Sequence, residues 1–108
     1  MIEAQSVREV EDAVVSYEYL MLFFSRQDSA EATQLARRIR RLGKRYPNMA
    51  TYSIDLDAHP TASSRYLIYH VPTVLLYAHG KPQIKRIGVV DINELNEQIL
   101  LIQGPNAE

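Results

Sequence analysis

Six consecutive apolar side chains, Tyr19-Leu20-Met21-Leu22-Phe23-Phe24, set the first limit on how this chain of 108 residues folds. A helix or strand with one face in water would interrupt such a run with polar residues at its own period, and no interruption occurs. The run therefore predicts a strand buried on both faces. Strands of that kind belong to parallel sheets covered by helices on each side, so the expected architecture is α/β. The run is also far short of the roughly twenty residues that a membrane-crossing helix requires.

The flanking periods supply the helices. Ser6-Val7-Arg8-Glu9 has the form of a capping box, in which each side chain satisfies an orphan amide of the other. Val7, Val10 and Val14 follow on one helical stripe. Asp28-Ser29-Ala30-Glu31 is a second box, and Leu35, Ala36, Ile39 and Leu42 carry a helix from Ser29 toward Arg45, which Gly43 and Pro47 bring to an end. Thr51 to Leu56 alternates and is rich in strand formers, while Asp57 and Pro60 open a short helical stretch toward Tyr66. Thr73 to Tyr77 and Gln83 to Ile87, joined through His79-Gly80-Lys81, suit an antiparallel hairpin, which makes the sheet mixed. A third box, Asp91-Ile92-Asn93-Glu94, starts a closing helix with Ile92, Leu95, Ile99 and Ile102 on one face. One domain is expected over 1–103, followed by a polar tail over 104–108.

Composition narrows the chemistry more than it narrows the fold. With 46% hydrophobic and 23% charged residues the chain is of ordinary globular character. A net charge of -1 disfavours nucleic acid as a general partner. Met1-Ile2-Glu3-Ala4-Gln5 lacks the basic-then-apolar order of a signal peptide, so a cytoplasmic location is expected. The chain contains no cysteine. Thiol-disulfide exchange needs a thiolate to attack and another to leave, and nothing here supplies one.

From Ile2 to Ile102 the order of elements and three local strings resemble the thioredoxin family. Leu20-Met21-Leu22-Phe23-Phe24-Ser25 before a helix start is similar to the family's central strand and active-site loop. Tyr52-Ser53-Ile54-Asp55-Leu56-Asp57 with Pro60 is similar to a second family strand, and Val71-Pro72-Thr73 before an aliphatic strand resembles the cis-proline loop. Gly80 and Gly88 match the hairpin turn and a later loop glycine. The resemblance implies a thioredoxin fold, with a central mixed sheet of four to five strands flanked by helices on both faces. It also aligns Asp28-Ser29-Ala30-Glu31 with the family's Cys-Gly-Pro-Cys, so Asp28 and Glu31 stand at the sulfur positions. Leu22 occupies the place where redox-active members often keep a buried carboxylate.

Asp28 and Glu31 are accounted for as a helix cap. The functional alternative is a carboxylate pair, with His70, that binds a cation or acts as acid and base, but a metal site normally wants three or four protein ligands. His59 and His79 read as helix-start and turn residues. No cofactor and no catalytic residue is therefore assigned. Arg37, Arg38, Arg40, Arg41, Lys44 and Arg45 place six of twelve basic residues on one arc of a helix. They form either a solvated face that complements the helix dipole or a docking face for acidic or nucleic partners, carried by Arg37, Arg38, Arg41, Lys44 and Arg45.

What the resemblance implies for partners is a groove lined by Gln27, Asp28, Val71, Pro72, Gly88 and Val89 that accepts an extended peptide or protein segment through main-chain hydrogen bonds. That step needs no cysteine, although Pro72 also has a purely architectural role open to it. The leading expectation is a redox-inactive binding module. A carboxylate enzyme and a basic-helix adaptor remain as alternatives, and oligomeric state is not indicated.

Overall fold

Strand and helix alternate along most of the chain and give way to a hairpin and a closing helix. The computed structural model describes residues 1–26 and 30–104. The elements are β1 (Ile2–Glu3), α1 (Val7–Ser16), β2 (Tyr19–Ser25), α2 (Ala30–Gly43), β3 (Met49–Asp55), α3 (Thr61–Arg65), β4 (Thr73–Ala78), β5 (Lys81–Ile87) and α4 (Ile92–Gln103). The five strands form one sheet in the order β1-β3-β2-β4-β5. Strand β3 is parallel to β1 and β2, whereas β4 is antiparallel to β2 and β5.

The apolar run is the middle of this sheet, and its side chains divide between two cores. Leu20, Leu22 and Phe24 pack with Val10 and Ala13 of α1, and with Ala62 of α3. Met21 and Phe23 pack on the other face with Leu35, Ile39 and Leu42 of α2 and with Leu95 and Ile99 of α4. All five strand residues are at most 1% exposed. Each such burial contributes about 1.5–3 kcal/mol relative to exposure. Leu22 is thus an ordinary core residue of the α1 side.

Helix termini depart from the expected boxes in instructive ways. Ser6 Oγ accepts from the Glu9 N–H at 3.0 Å, but the Glu9 carboxylate accepts from the Gln5 N–H and leaves that of Ser6 aside. Asp91 caps α4 by accepting from the N–H groups of Asn93 and Glu94 at 2.9 and 3.2 Å. Glu94 does not reciprocate, because its carboxylate takes both arms of the Arg86 guanidinium at 2.7 and 3.1 Å. A charge-assisted fork is a stronger attraction than one amide. Asp28 and Ser29, and hence the expected start of the second helix, lie outside the described residues, as does the tail beyond Gly104.

Several boundaries differ from expectation: β3 begins at Met49 rather than Thr51, and β5 at Lys81 rather than Gln83. Helix α2 ends at Gly43 rather than Arg45, where Arg45 N–H donates to Leu42 and Tyr46 N–H to Gly43 in successive tight turns. Strand β1, absent from the sequence reading, pairs Ile2 with Tyr52 and Glu3 with Ser53. Two exposed residues carry no period to detect. At the hairpin, Ala78 faces Lys81 across His79 (φ 54°) and Gly80 (φ 78°), a two-residue turn whose positive dihedrals suit the twist of the strands. A register shift falls between Leu76 and Tyr77, and Pro82 sits on the edge strand β5.

Gly43 ends α2 directly against β3. A Cβ placed there would stand 2.8 Å from Thr51 Oγ1, on a short, buried and β-branched side chain with little room to retreat. Gly43→Ala should therefore be more favourable by about 1–2 kcal/mol in a Thr51→Ala background than in the parent, once the steric cost is removed. Urea midpoints of the four proteins measure this coupling. Equal effects in both backgrounds would show that the helix end moves freely.

Candidate functional site

Phe24 pairs with Thr73, so the ends of β2 and β4 lie side by side and Pro72 stands next to the point where the chain leaves β2. The Val71–Pro72 peptide bond is cis. Thr73 Oγ1 donates to the His70 carbonyl at 2.6 Å, and the Gly88 N–H donates to the Pro72 carbonyl at 2.8 Å. The first bond closes the loop before β4 on itself, and the second ties that loop to the one after β5. Gly88 has φ of 78°, in the left-handed region that side chains other than glycine rarely adopt.

Val71, Pro72, Gly88 and Val89 line a single open cavity of about 280 Å³. Its opposite wall is the first half of α2, where Glu31, Leu35 and Arg38 face it. Val89 is fully exposed, whereas Val71 and Pro72 are half-buried. Gln27 and Asp28, assigned to the same groove from the sequence, lie outside the described residues. So does one of the two positions aligned with family cysteines, leaving Glu31 as the described member of that pair. Gln34, Leu35, Arg38 and Val90 complete the lining and were not assigned to the groove from the sequence. The spacing from Glu31 to Gln34, Leu35 and Arg38 is that of one helical face, a signal present in the chain.

All six basic residues between Arg37 and Arg45 are exposed. Arg38, Arg41 and Arg45 line a second cavity, of about 430 Å³, against the Val90 to Asn93 segment. Arg37 and Lys44 are exposed and do not line it. The Tyr46 hydroxyl donates to Asn96 Oδ1 and so joins the turn after α2 to α4. The Arg86–Glu94 pair links β5 to α4 across residues 88–91, which contribute to the walls of both cavities. The Arg86 guanidinium holds the Glu94 carboxyl below the usual carboxylate range, and Glu94 raises Arg86 in turn.

Among the described residues no group of three or more histidine or carboxylate side chains is placed to hold a metal ion. His70 is exposed beside the proline loop and meets Thr73 through its backbone carbonyl. His59 donates its backbone N–H to Asp55 before α3. His79 lies in the hairpin turn, edge-on to the Tyr19 ring at 5.5 Å. The three imidazoles belong to separate parts of the surface.

Comparison with known proteins identifies the scaffold. No family model matches the chain. A thioredoxin of Chlamydia trachomatis is 23% identical over 95 residues, spanning 88% of this chain and 92% of that protein. A thioredoxin of Mycoplasmoides gallisepticum is 43% identical over 44 residues, spanning 41% of this chain and 44% of the relative. Among solved structures, a thioredoxin variant from Halobacterium salinarum superposes with a TM-score of 0.87 at 21% identity, over 96% of this chain and 91% of that one. The five-stranded mixed sheet with helices on both faces is the thioredoxin fold. None of the described helices is long and apolar enough to cross a membrane.

The Arg86–Glu94 bridge sets a pH dependence with a definite sign. A carboxyl depressed in the folded state stabilises fully above the unfolded glutamate value, and the benefit fades as pH falls through the lower folded value. Glu94→Gln is expected to lower Tm at neutral pH and to converge with the parent in strong acid. Thermal melts across that range provide the measurement. A difference that persists unchanged in acid would assign the effect to packing.

Proposed function

The chain is a thioredoxin-like protein without cysteine, and we propose that it is a redox-inactive module that holds an extended peptide or protein segment in the groove beside Pro72. Exchange of disulfides is closed to it, since no mixed disulfide forms without a sulfur nucleophile. The observation that carries the reading is the cavity shared by Val71, Pro72, Gly88 and Val89 in a chain that has no cysteine. Its lining suits recognition. Leu35, Val71, Pro72 and Val89 offer apolar surface, and the half-exposed loops before β4 and after β5 offer backbone groups to an extended partner.

A carboxylate-based enzyme has less behind it. Glu31 has no described histidine or second carboxylate beside it in the cavity, so a proton donor and acceptor pair is not assembled from the lining residues. The partner is accordingly read as macromolecular, and the role as non-enzymatic.

Peptides selected by display on the purified protein provide the test. Val89→Asp and Val71→Asp each place a charge where an apolar contact is expected, and each should weaken a selected peptide by about tenfold or more. Full affinity in both variants would remove the groove from the interaction. The parent protein should also leave the rate of insulin reduction by dithiothreitol unchanged, and any acceleration by pure protein would overturn the redox-inactive assignment.

A further inference from the structure

The chain that lacks cysteine also lacks tryptophan, and it carries seven tyrosines. Cysteine and tryptophan are, with tyrosine, the side chains that give up an electron most readily to a one-electron oxidant. Of the three methionines, Met21 and Met49 are buried in the core. Oxidising equivalents that reach this protein therefore have phenol rings as their main destination, and geometry decides which rings react together.

Tyr17 and Tyr52 are the one pair of tyrosine rings in contact among the described residues, with centroids 6.3 Å apart and planes tilted by 54°. That separation is within the range of packed aromatic pairs. Burial first, and then a hydrogen bond with the Tyr17 hydroxyl, push the Tyr52 phenol up to about 12, so the oxygen-bearing ends of the rings meet. The carbons next to those oxygens, where phenoxyl radicals couple, are brought together with them. Tyr52 is fixed in β3 opposite Leu22 and is 7% exposed. Tyr17 caps the end of α1 and is 41% exposed. An exposed side chain changes rotamer rapidly, so the fixed ring has a partner that can swing onto it. Both rings line an open cleft of about 340 Å³ with Arg8, Glu9 and Asp12, which places two carboxylates where protons are released. Other tyrosines are engaged elsewhere: Tyr46 with Asn96, Tyr19 edge-on to His79, and Tyr69 under the Lys85 ammonium.

We infer that Tyr17 and Tyr52 form an oxidative modification site, at which a one-electron oxidant of the peroxidase type joins the two rings into an intramolecular dityrosine. Each phenol gives up one electron and one proton. The two phenoxyl radicals combine through a bond between the ring carbons ortho to oxygen, and the hydrogens on those carbons move to oxygen and restore both rings. Hydrogen peroxide, the terminal oxidant, takes both electrons and both protons and leaves as two molecules of water. Rings held together on one scaffold meet far more often than rings on separate molecules in dilute solution. The link ties the end of α1 to β3, on the α1 side of the sheet, and does not depend on the peptide-binding reading of the groove.

Purified protein at micromolar concentration, treated with a haem peroxidase and hydrogen peroxide, tests it. Dityrosine fluorescence should appear in a band that stays monomeric on a denaturing gel, with a mass lower by two hydrogens and a yield that does not change on dilution. Fragmentation of the linked tryptic peptides should place the bond on Tyr17 and Tyr52, apart from the neighbouring Tyr19 and Tyr46. Tyr17→Phe and Tyr52→Phe should each lose the monomer signal, whereas Tyr69→Phe, which removes the most exposed ring described, should keep it. Tyr17→Phe changes an exposed side chain and so keeps the test clear of any effect of Tyr52→Phe on folding.

Fluorescence confined to covalent dimers, with a yield that climbs with protein concentration, would overturn the intramolecular pairing. A monomer signal undiminished in Tyr17→Phe, or mapped to another pair of tyrosines, would overturn the assignment of the site. Failure to join the rings under conditions that couple free N-acetyltyrosine, including oxygen uptake at methionine instead, would overturn the choice of tyrosine as the group that reacts.

Discussion

Burial of β2 on both faces is the constraint from which the rest of the architecture follows. Because the side chains of a strand alternate, Leu20, Leu22 and Phe24 require one helical layer while Met21 and Phe23 require another. Neither layer suffices alone. A central strand covered twice must have neighbours on both sides, and β3 and β4 fill those places with opposite directions. The opposed directions bring the start of β4 beside the end of β2, and with it the proline loop. The position of the cavity beside Pro72 is thus a consequence of core packing.

Much of this order can be read from the chain, for identifiable reasons. Long periodic stretches such as Leu35 to Leu42 and Ile92 to Ile102 point to their buried faces directly, and the structure buries Leu35, Ile39, Leu95 and Ile99 as their spacing implies. Short elements escape, as β1 does, because a period needs several residues to be seen. Side-chain partners escape for a different reason. Glu94 fits a capping box locally, yet Arg86 approaches from the neighbouring strand and offers the better bond. The local pattern names a candidate partner, and the tertiary fold decides between competitors.

The groove was partly readable in the same sense. Val71, Pro72, Gly88 and Val89 come from loops whose resemblance to family loops named them in advance. Arg38 shares a helical face with Glu31 and Leu35, but that this face lines the cavity depends on how closely the segment after β5 approaches α2. Charge density along a sequence does not reveal which cations share a wall. Here three of them border a cleft, while Arg37 and Lys44 stand outside it.

The far edge of the sheet carries a separate consequence. Strand β5 bears Lys81, Lys85 and Arg86, has a proline at its second position, and pairs through a register shift. Positive charge, a missing amide and an irregular twist each discourage another strand from continuing the ladder. Polymerisation through this border is obstructed, so copies of the protein can be crowded together without templating fibrils from it.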